Sequence, residues 1–191
     1  MTLLDANFDE LMTRVRYGRE LQDASFEPVY YLIFSPSEIL DVKGKMPAWT
    51  ARLRNDGWDV HQFSMAAHVA AVLQAPSRVR ELWLAADRRA PLGWEKTNQA
   101  LANTLAGGAL LARLQAKLES LRAQRTAILL ITDLEALHPY LRIGSLEGQL
   151  AGGFCATTLI FYPGKRTGKT RLRFLNFYPE DGKYRSVHVG G

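Results

Sequence analysis

The run Gly164-Lys-Arg-Thr-Gly-Lys-Thr170 carries the residue types of a phosphate-binding loop. A Walker A loop needs Gly, four residues, then Gly-Lys-Ser/Thr, so that its backbone amides wrap a phosphate where a helix begins. Here only three residues separate Gly164 from Gly168-Lys169-Thr170, and the residues that follow, Arg171-Leu-Arg-Phe-Leu-Asn-Phe-Tyr178, read as a strand. Half of the anion site, the helix N-terminus, is therefore missing from the pattern. The run also follows the fourth strand of the chain, where phosphate loops of this type follow the first. It reads as a strand-to-strand turn, with Pro163-Gly164 at one end and Gly168 in the bend, and predicts no ATP binding. Ile128-Leu-Leu-Ile-Thr-Asp133 resembles a Walker B strand, whose acid would hold Mg²⁺. Without a competent loop, Asp133 reads instead as a cap for the next turn.

Other catalytic patterns are incomplete. His61, His68, His138 and His188 show no metal-binding spacing such as His-Glu-x-x-His, and the single cysteine, Cys155, excludes a cysteine-based zinc site or an internal disulfide. Cys155 reads as a small buried side chain and not as a nucleophile. There is no Gly-x-Ser-x-Gly elbow to anchor a hydrolase triad. Glu180-Asp-Gly-Lys183 has the acid-x-Lys look of a nuclease but sits where a hairpin tip is expected. No catalytic residue, metal or cofactor is therefore assigned.

Two segments have binding chemistry. The ten residues 164–173 hold five cations, Lys165, Arg166, Lys169, Arg171 and Arg173, and no acid, so they could track nucleic-acid phosphates. The other segment is Leu137-His-Pro-Tyr-Leu-Arg142 followed by Gly144-Ser-Leu-Glu-Gly-Gln-Leu150. It follows the carboxyl end of the most apolar strand, where open α/β sheets place ligands and partners. Tyr140 and Arg142 are the residue types that dominate binding hot spots, with His138, Glu147 and Gln149 beside them.

The elements that must position these residues are legible from periodicity. Phe8, Leu11, Met12 and Val15 predict a helix over 5–22. Val29–Phe34 and Thr126–Thr132 are continuous apolar runs, as in strands buried on both faces. Trp58–Phe63 alternates, and Ala156–Tyr162 is a fourth strand. Helices are expected over 46–56, 66–73, 78–86, 97–123 and 144–150, with Gly107-Gly108 bending or splitting the long one. Arg171–Tyr178 and Tyr184–Val189, joined around Asp181-Gly182, predict an antiparallel hairpin. Strands alternating with helices predict an α/β fold: a mainly parallel sheet flanked by helices, Rossmann-like or P-loop-like but without a functional phosphate loop, plus that C-terminal hairpin extension.

With 191 residues, 47% hydrophobic and 23% charged, the chain fits one globular domain over 1–191. Its net charge of +5 is carried by the C-terminal half, since residues 1–100 hold 12 cations and 13 acids while 101–191 hold 12 and 6. That excess permits a polyanion or an acidic partner surface. No signal peptide and no apolar run of about 18 residues is visible, which predicts a cytoplasmic protein without a membrane partner.

The C-terminal third resembles the BrxB family of bacteriophage-exclusion (BREX) defence systems. The features that carry this are the strand Ala127–Thr132, the element Pro139-Tyr-Leu-Arg142, a short helix with Leu146, Gln149 and Leu150, and then Phe161-Tyr-Pro-Gly164 with Gly168 and a further strand. The strand Val29–Phe34 followed by Pro36, Glu38 and Asp41, and a length near two hundred residues, are also similar. The resemblance implies a non-catalytic component that works beside larger proteins. These are the alkaline-phosphatase-like PglZ first, then the PglX adenine methyltransferase and the BrxC ATPase. It implies an adaptor or assembly subunit, for which the segment read above, with His138, Tyr140, Arg142, Glu147 and Gln149, is the candidate partner surface. A DNA-binding accessory module using Lys165, Arg166, Lys169, Arg171 and Arg173 is the alternative, and a degenerate nucleotide-binding protein is a third reading.

Overall fold

The computed structural model describes residues 2–21, 28–74, 77–168, 171–182 and 186–191. Its centre is a parallel sheet in the order β2-β3-β4-β1-β7, made of β1 (Val29–Phe34), β2 (Asp59–Ser64), β3 (Ala127–Thr132), β4 (Thr157–Arg166) and β7 (Val187–Gly190). All six residues of β1 are buried, as are the first five of β3, so the continuous apolar runs do lie between two covered faces. The order follows from the connections: the chain leaves β1, skips two positions to the edge, then returns strand by strand.

Alternate side chains of each strand feed two cores. On one face, Tyr30, Leu32, Phe34, Leu130, Leu159 and Phe161 pack against α1 (Leu3–Leu21) and α2 (Ile39–Asn55). Phe8 of α1 stacks on Trp49 of α2 with centroids 4.4 Å apart, and Trp49 stacks in turn on Phe161. On the other face, Tyr31, Ile33, Phe63, Leu129, Ile131 and Ile160 meet α3 (Met65–Gln74), α6 (Leu110–Leu121) and α7 (Ile143–Gln149). Burying one such aliphatic side chain is worth about 1.5–3 kcal/mol. The stripe Leu110, Leu114, Leu118, Leu121 shows how the helical period supplies the buried side of α6.

Between α3 and α6 lie α4 (Ser77–Arg89) and α5 (Trp94–Thr104). The long helix expected over 97–123 is split, as the glycine pair suggested: a π-helical turn spans Leu105–Ala109, and Gly108 has φ +91°. A side chain there would be strained, whereas glycine reaches positive φ readily.

Three boundaries differ from the sequence expectation. First, α2 begins at Ile39 and not near residue 46. A capping box of Ser35 with Glu38 starts the preceding 3₁₀ turn, and the buried run Val42, Met46, Trp49, Leu53 keeps the helix going through Pro47. Secondly, β4 continues through Pro163-Gly164 to Arg166. The bend therefore falls after Arg166, and the antiparallel extension is β4 with β5 (Arg171–Phe174) and β6 (Asp181–Gly182). Thirdly, Asp181-Gly182 is not the turn of a hairpin closed by the last strand. It pairs with Arg171-Leu172, and β7 returns to the main sheet, parallel to β1. β1 offers β7 a free edge, and four residues of β7 suffice to fill it.

Candidate functional site

The carboxyl ends of the parallel strands carry the polar groups. α2 leaves β1 on one face, while the segments after β2 and β3 leave on the other, so a crevice opens between them. A pocket of about 200 Å³ lies there, walled by Phe34, Val42, Met46 and Phe161 and edged by Lys43, Gln62, Thr132, Asp133 and Glu135. Asp133 follows β3 directly and adopts a left-handed backbone, φ +58°. Its carboxylate makes no capping bond to the next turn, contrary to the expectation from sequence. It accepts instead from the Ser64 hydroxyl at 2.6 Å, the Thr132 hydroxyl at 3.0 Å and Lys43 Nζ at 3.0 Å. Lys43 also pairs with Glu135 at 2.7 Å. Burial opposes ionisation of Asp133, but these three donors outweigh it and hold the carboxyl below its usual range. The Walker-B-like acid thus ties β2, β3 and α2 together.

That arrangement gives a stability prediction. A carboxyl with a depressed folded pKa contributes stability above its unfolded pKa, and the contribution is lost as pH falls through the folded value. Asp133→Asn should cost about 1 kcal/mol at pH 7 in urea unfolding. The difference from the unmutated chain should close below pH 4. A gap that stays constant down to pH 3 would show that the charge of Asp133 is not what matters.

The segment after Asp133 leads to the residues singled out for partner binding. A 3₁₀ turn, Leu134–Leu137, buries Leu134 and Leu137, so the chain after it is pinned to the sheet. His138 is exposed, and Arg142 is half-buried at the start of α7. Both meet the segment that follows β5. The His138 ring shares a hydrogen bond through Nδ1 with the Tyr178 hydroxyl and lies edge-on to Phe177, centroids 5.3 Å apart. The Arg142 guanidinium sits over the Tyr178 ring, 4.7 Å from its centroid. Phe177 is 64% exposed. A ladder of rings connects this surface to the core: Phe177 on Tyr178, Tyr178 on Phe174, Phe174 on Tyr162, Tyr162 on Tyr31.

The other sequence candidates are placed differently. Tyr140 is half-buried and packs against the core below the loop. Glu147 turns inward, its carboxylate accepting from the Tyr31 hydroxyl. Gln149 is exposed and bonds back to the Ser145 carbonyl at 3.1 Å. Phe177 and Tyr178 were read from sequence only as strand residues. Their link to His138 spans 40 positions, and no local pattern marks it.

In the basic segment, Lys165 stands opposite Arg173 across β4 and β5, with Arg171 two residues away on the same face, all exposed. Like charges directly opposite are unfavourable. Glu180 relieves them, lying 3.6 Å from Arg171 and 3.5 Å from Arg173. Arg166 points the other way, its guanidinium 3.4 Å from the His188 carbonyl oxygen. Lys169 and Thr170 lie outside the described residues, as does Lys183 of the acid-x-Lys pattern. The run Gly164–Thr170 begins inside β4 and is followed by β5, so a strand and not a helix comes after it.

A family model described as BREX protein BrxB matches residues 73–189. That span covers well over half of the chain, from the end of α3 through β7. The chain belongs to the BrxB family. It is therefore a component of BREX phage defence, as the resemblance of Pro139–Arg142 and Phe161–Gly164 implied. The match includes the helices between α3 and β3, which the sequence had related to the family only by their spacing. No curated protein and no solved structure matches the chain. Among the described residues, no helix of this BrxB protein is long and apolar enough to cross a membrane.

Proposed function

We propose that this BrxB protein is a non-catalytic adaptor that docks a larger BREX component, the alkaline-phosphatase-like PglZ first, through the surface built by His138, Arg142, Phe177 and Tyr178. PglX and BrxC are the further candidate partners of the same assembly. The observation that carries the reading is the convergence of two distant loops on one exposed aromatic, Phe177, backed by a guanidinium stacked on Tyr178. Aromatic and arginine side chains held on a rigid base are what binding hot spots are made of, because little conformational entropy is lost when they are covered. Here the base is the ring ladder that runs into the core.

Pull-down of PglZ by the purified chain tests the placement. Arg142→Ala and Phe177→Ala should each reduce capture by about tenfold or more, as for hot-spot truncations. Tyr140→Ala and Gln149→Ala should change it less, because Tyr140 packs inward and Gln149 bonds to its own helix. Capture unaffected by both Arg142→Ala and Phe177→Ala would place the interface elsewhere. The basic hairpin supports the DNA-binding alternative less well, since Glu180 already engages two of its cations.

A further inference from the structure

α4 is a helix without a core. Among its described side chains none is buried, and only Trp83 is half-buried. Yet its sequence, Ser77-Arg-Val-Arg-Glu-Leu-Trp-Leu-Ala-Ala-Asp-Arg-Arg89, is apolar at Val79, Leu82, Trp83 and Leu84. Leu82 is 65% exposed, Leu92 in the turn to α5 is 92% exposed, and Trp94 at the start of α5 is 57% exposed. A helix of 13 residues is marginal in water on its own, because propagation barely repays nucleation at that length. One hydrogen bond to α5, Thr97 to Asp87 at 2.6 Å, holds its far end. Val79, 39% exposed, lies roughly 60° from Leu82 around the helix, so the two share an exposed apolar face of the kind that marks an interaction surface.

The charges around the ridge indicate what covers it. Arg78 and Arg89 stand four residues before and seven after Leu82, so both share its face. Glu81 and Asp87 lie roughly 100–140° away around the helix, by the spacing of 3.6 residues per turn. The face thus offers a leucine flanked at each end by a cation, with no acid on it.

We propose that the α4 ridge is a second docking surface of this protein, and that its occupant is an amphipathic helix with acidic flanks from another component of the BREX assembly. The apolar stripe of that helix covers Val79, Leu82 and Leu92, and its acids meet Arg78 and Arg89. This surface is separate from the His138–Tyr178 face, and the two are tested by different residues.

The test uses the full chain, tagged and co-expressed with the other BREX proteins, and compares hydrogen exchange in the isolated chain and in the purified complex. The α4 amides should exchange at least about tenfold more slowly in the complex. A benzophenone amino acid at position 82 should cross-link to a peptide of another component with net negative charge. The double variant Leu82→Ser/Leu92→Ser, whose exposed positions leave the fold intact by circular dichroism, should lose both signals. Charge reversal, Arg78→Glu/Arg89→Glu, should reduce co-purification by more than Arg78→Gln/Arg89→Gln. Unchanged α4 exchange in the complex overturns the proposal, and so does the absence of any co-purifying component. A cross-link to a second copy of this chain, or binding of the isolated chain to phosphatidylglycerol vesicles through Leu82, also overturns it.

Discussion

Gly164→Val will destabilise the protein by about 3 kcal/mol, at the upper end of the range for overpacking, and will loosen the surface around Phe177 at the same time. A Cβ at position 164 would lie 2.3 Å from the Arg173 carbonyl oxygen and 2.6 Å from the Tyr162 ring. Neither can yield easily. Arg173 is held in the β4–β5 ladder, and Tyr162 is a buried rung of the ring ladder. The hairpin must open for the side chain to fit, and Leu175, whose amide donates to the Pro163 carbonyl at 2.9 Å, moves with it. Because Phe177 and Tyr178 follow directly, near-UV circular dichroism should fall together with the urea midpoint. A variant as stable as the unmutated chain would show that the two strands do not approach this closely. The family-like Pro163-Gly164 thus has a steric reason: only glycine lets β5 cross β4 beside Tyr162.

Stability will also fall sharply as the solution is made mildly acidic. His188, in β7, is buried, with its ring edge-on to Tyr31 at 5.3 Å and its Nε2 3.1 Å from the Ser186 hydroxyl. Burial, helped by the nearby Arg166, pushes its pKa down from 6.5 to about 4. The sign follows from linkage. The neutral ring is the folded form, so below pH 6.5 the unfolded chain takes up a proton that the folded chain refuses, and stability falls with pH. The loss reaches about 2 kcal/mol by pH 5 and about 3 kcal/mol near pH 4, at 1.36 kcal/mol per pKa unit. His68, stacked on Phe63, is shifted the same way by burial and Arg113 and adds to the fall. Stability measured by urea unfolding should therefore fall from pH 7.5 to pH 5, and His188→Gln should flatten much of that slope while His68→Gln flattens it further. An unmutated protein equally stable at pH 7 and pH 5 would contradict the buried, neutral His188.

What the sequence disclosed and what it hid divide along contact range. Val29–Phe34 and Ala127–Thr132 were legible because a strand buried on both faces must be apolar throughout, and few other elements look like that. The split near Gly107-Gly108 was legible because glycine alone marks such a bend. That a strand and not a helix follows Gly164–Thr170 was legible from the pattern of Arg171–Tyr178. β7 was not legible as a parallel strand, because Val187–Gly190 is too short to show a period and its partner lies more than 150 residues earlier. The onset of α2 was hidden by Pro47, a residue that usually marks a helix start. Of the candidate binding residues, His138 and Arg142 were singled out by residue type and position after a strand, and both meet Tyr178. Phe177 and Tyr178 were not singled out, since they reach His138 and Arg142 only when the hairpin brings them across. Glu147 was one of the polar side chains of the segment after β3, yet it faces Tyr31, which sequence alone cannot distinguish from facing solvent.

As proposed, this BrxB protein acts by binding a larger BREX component through the His138–Tyr178 face. Titration calorimetry between the purified chain and purified PglZ tests it most directly, using the unmutated chain, the double variant Arg142→Ala/Phe177→Ala, and a hairpin variant with Lys165, Arg171 and Arg173 all changed to Gln. The unmutated chain should bind, the double variant should lose about 30-fold or more (roughly 2 kcal/mol), and the hairpin variant should change little. Equal affinity for the unmutated chain and the double variant, or affinity lost only with the hairpin cations, would contradict it.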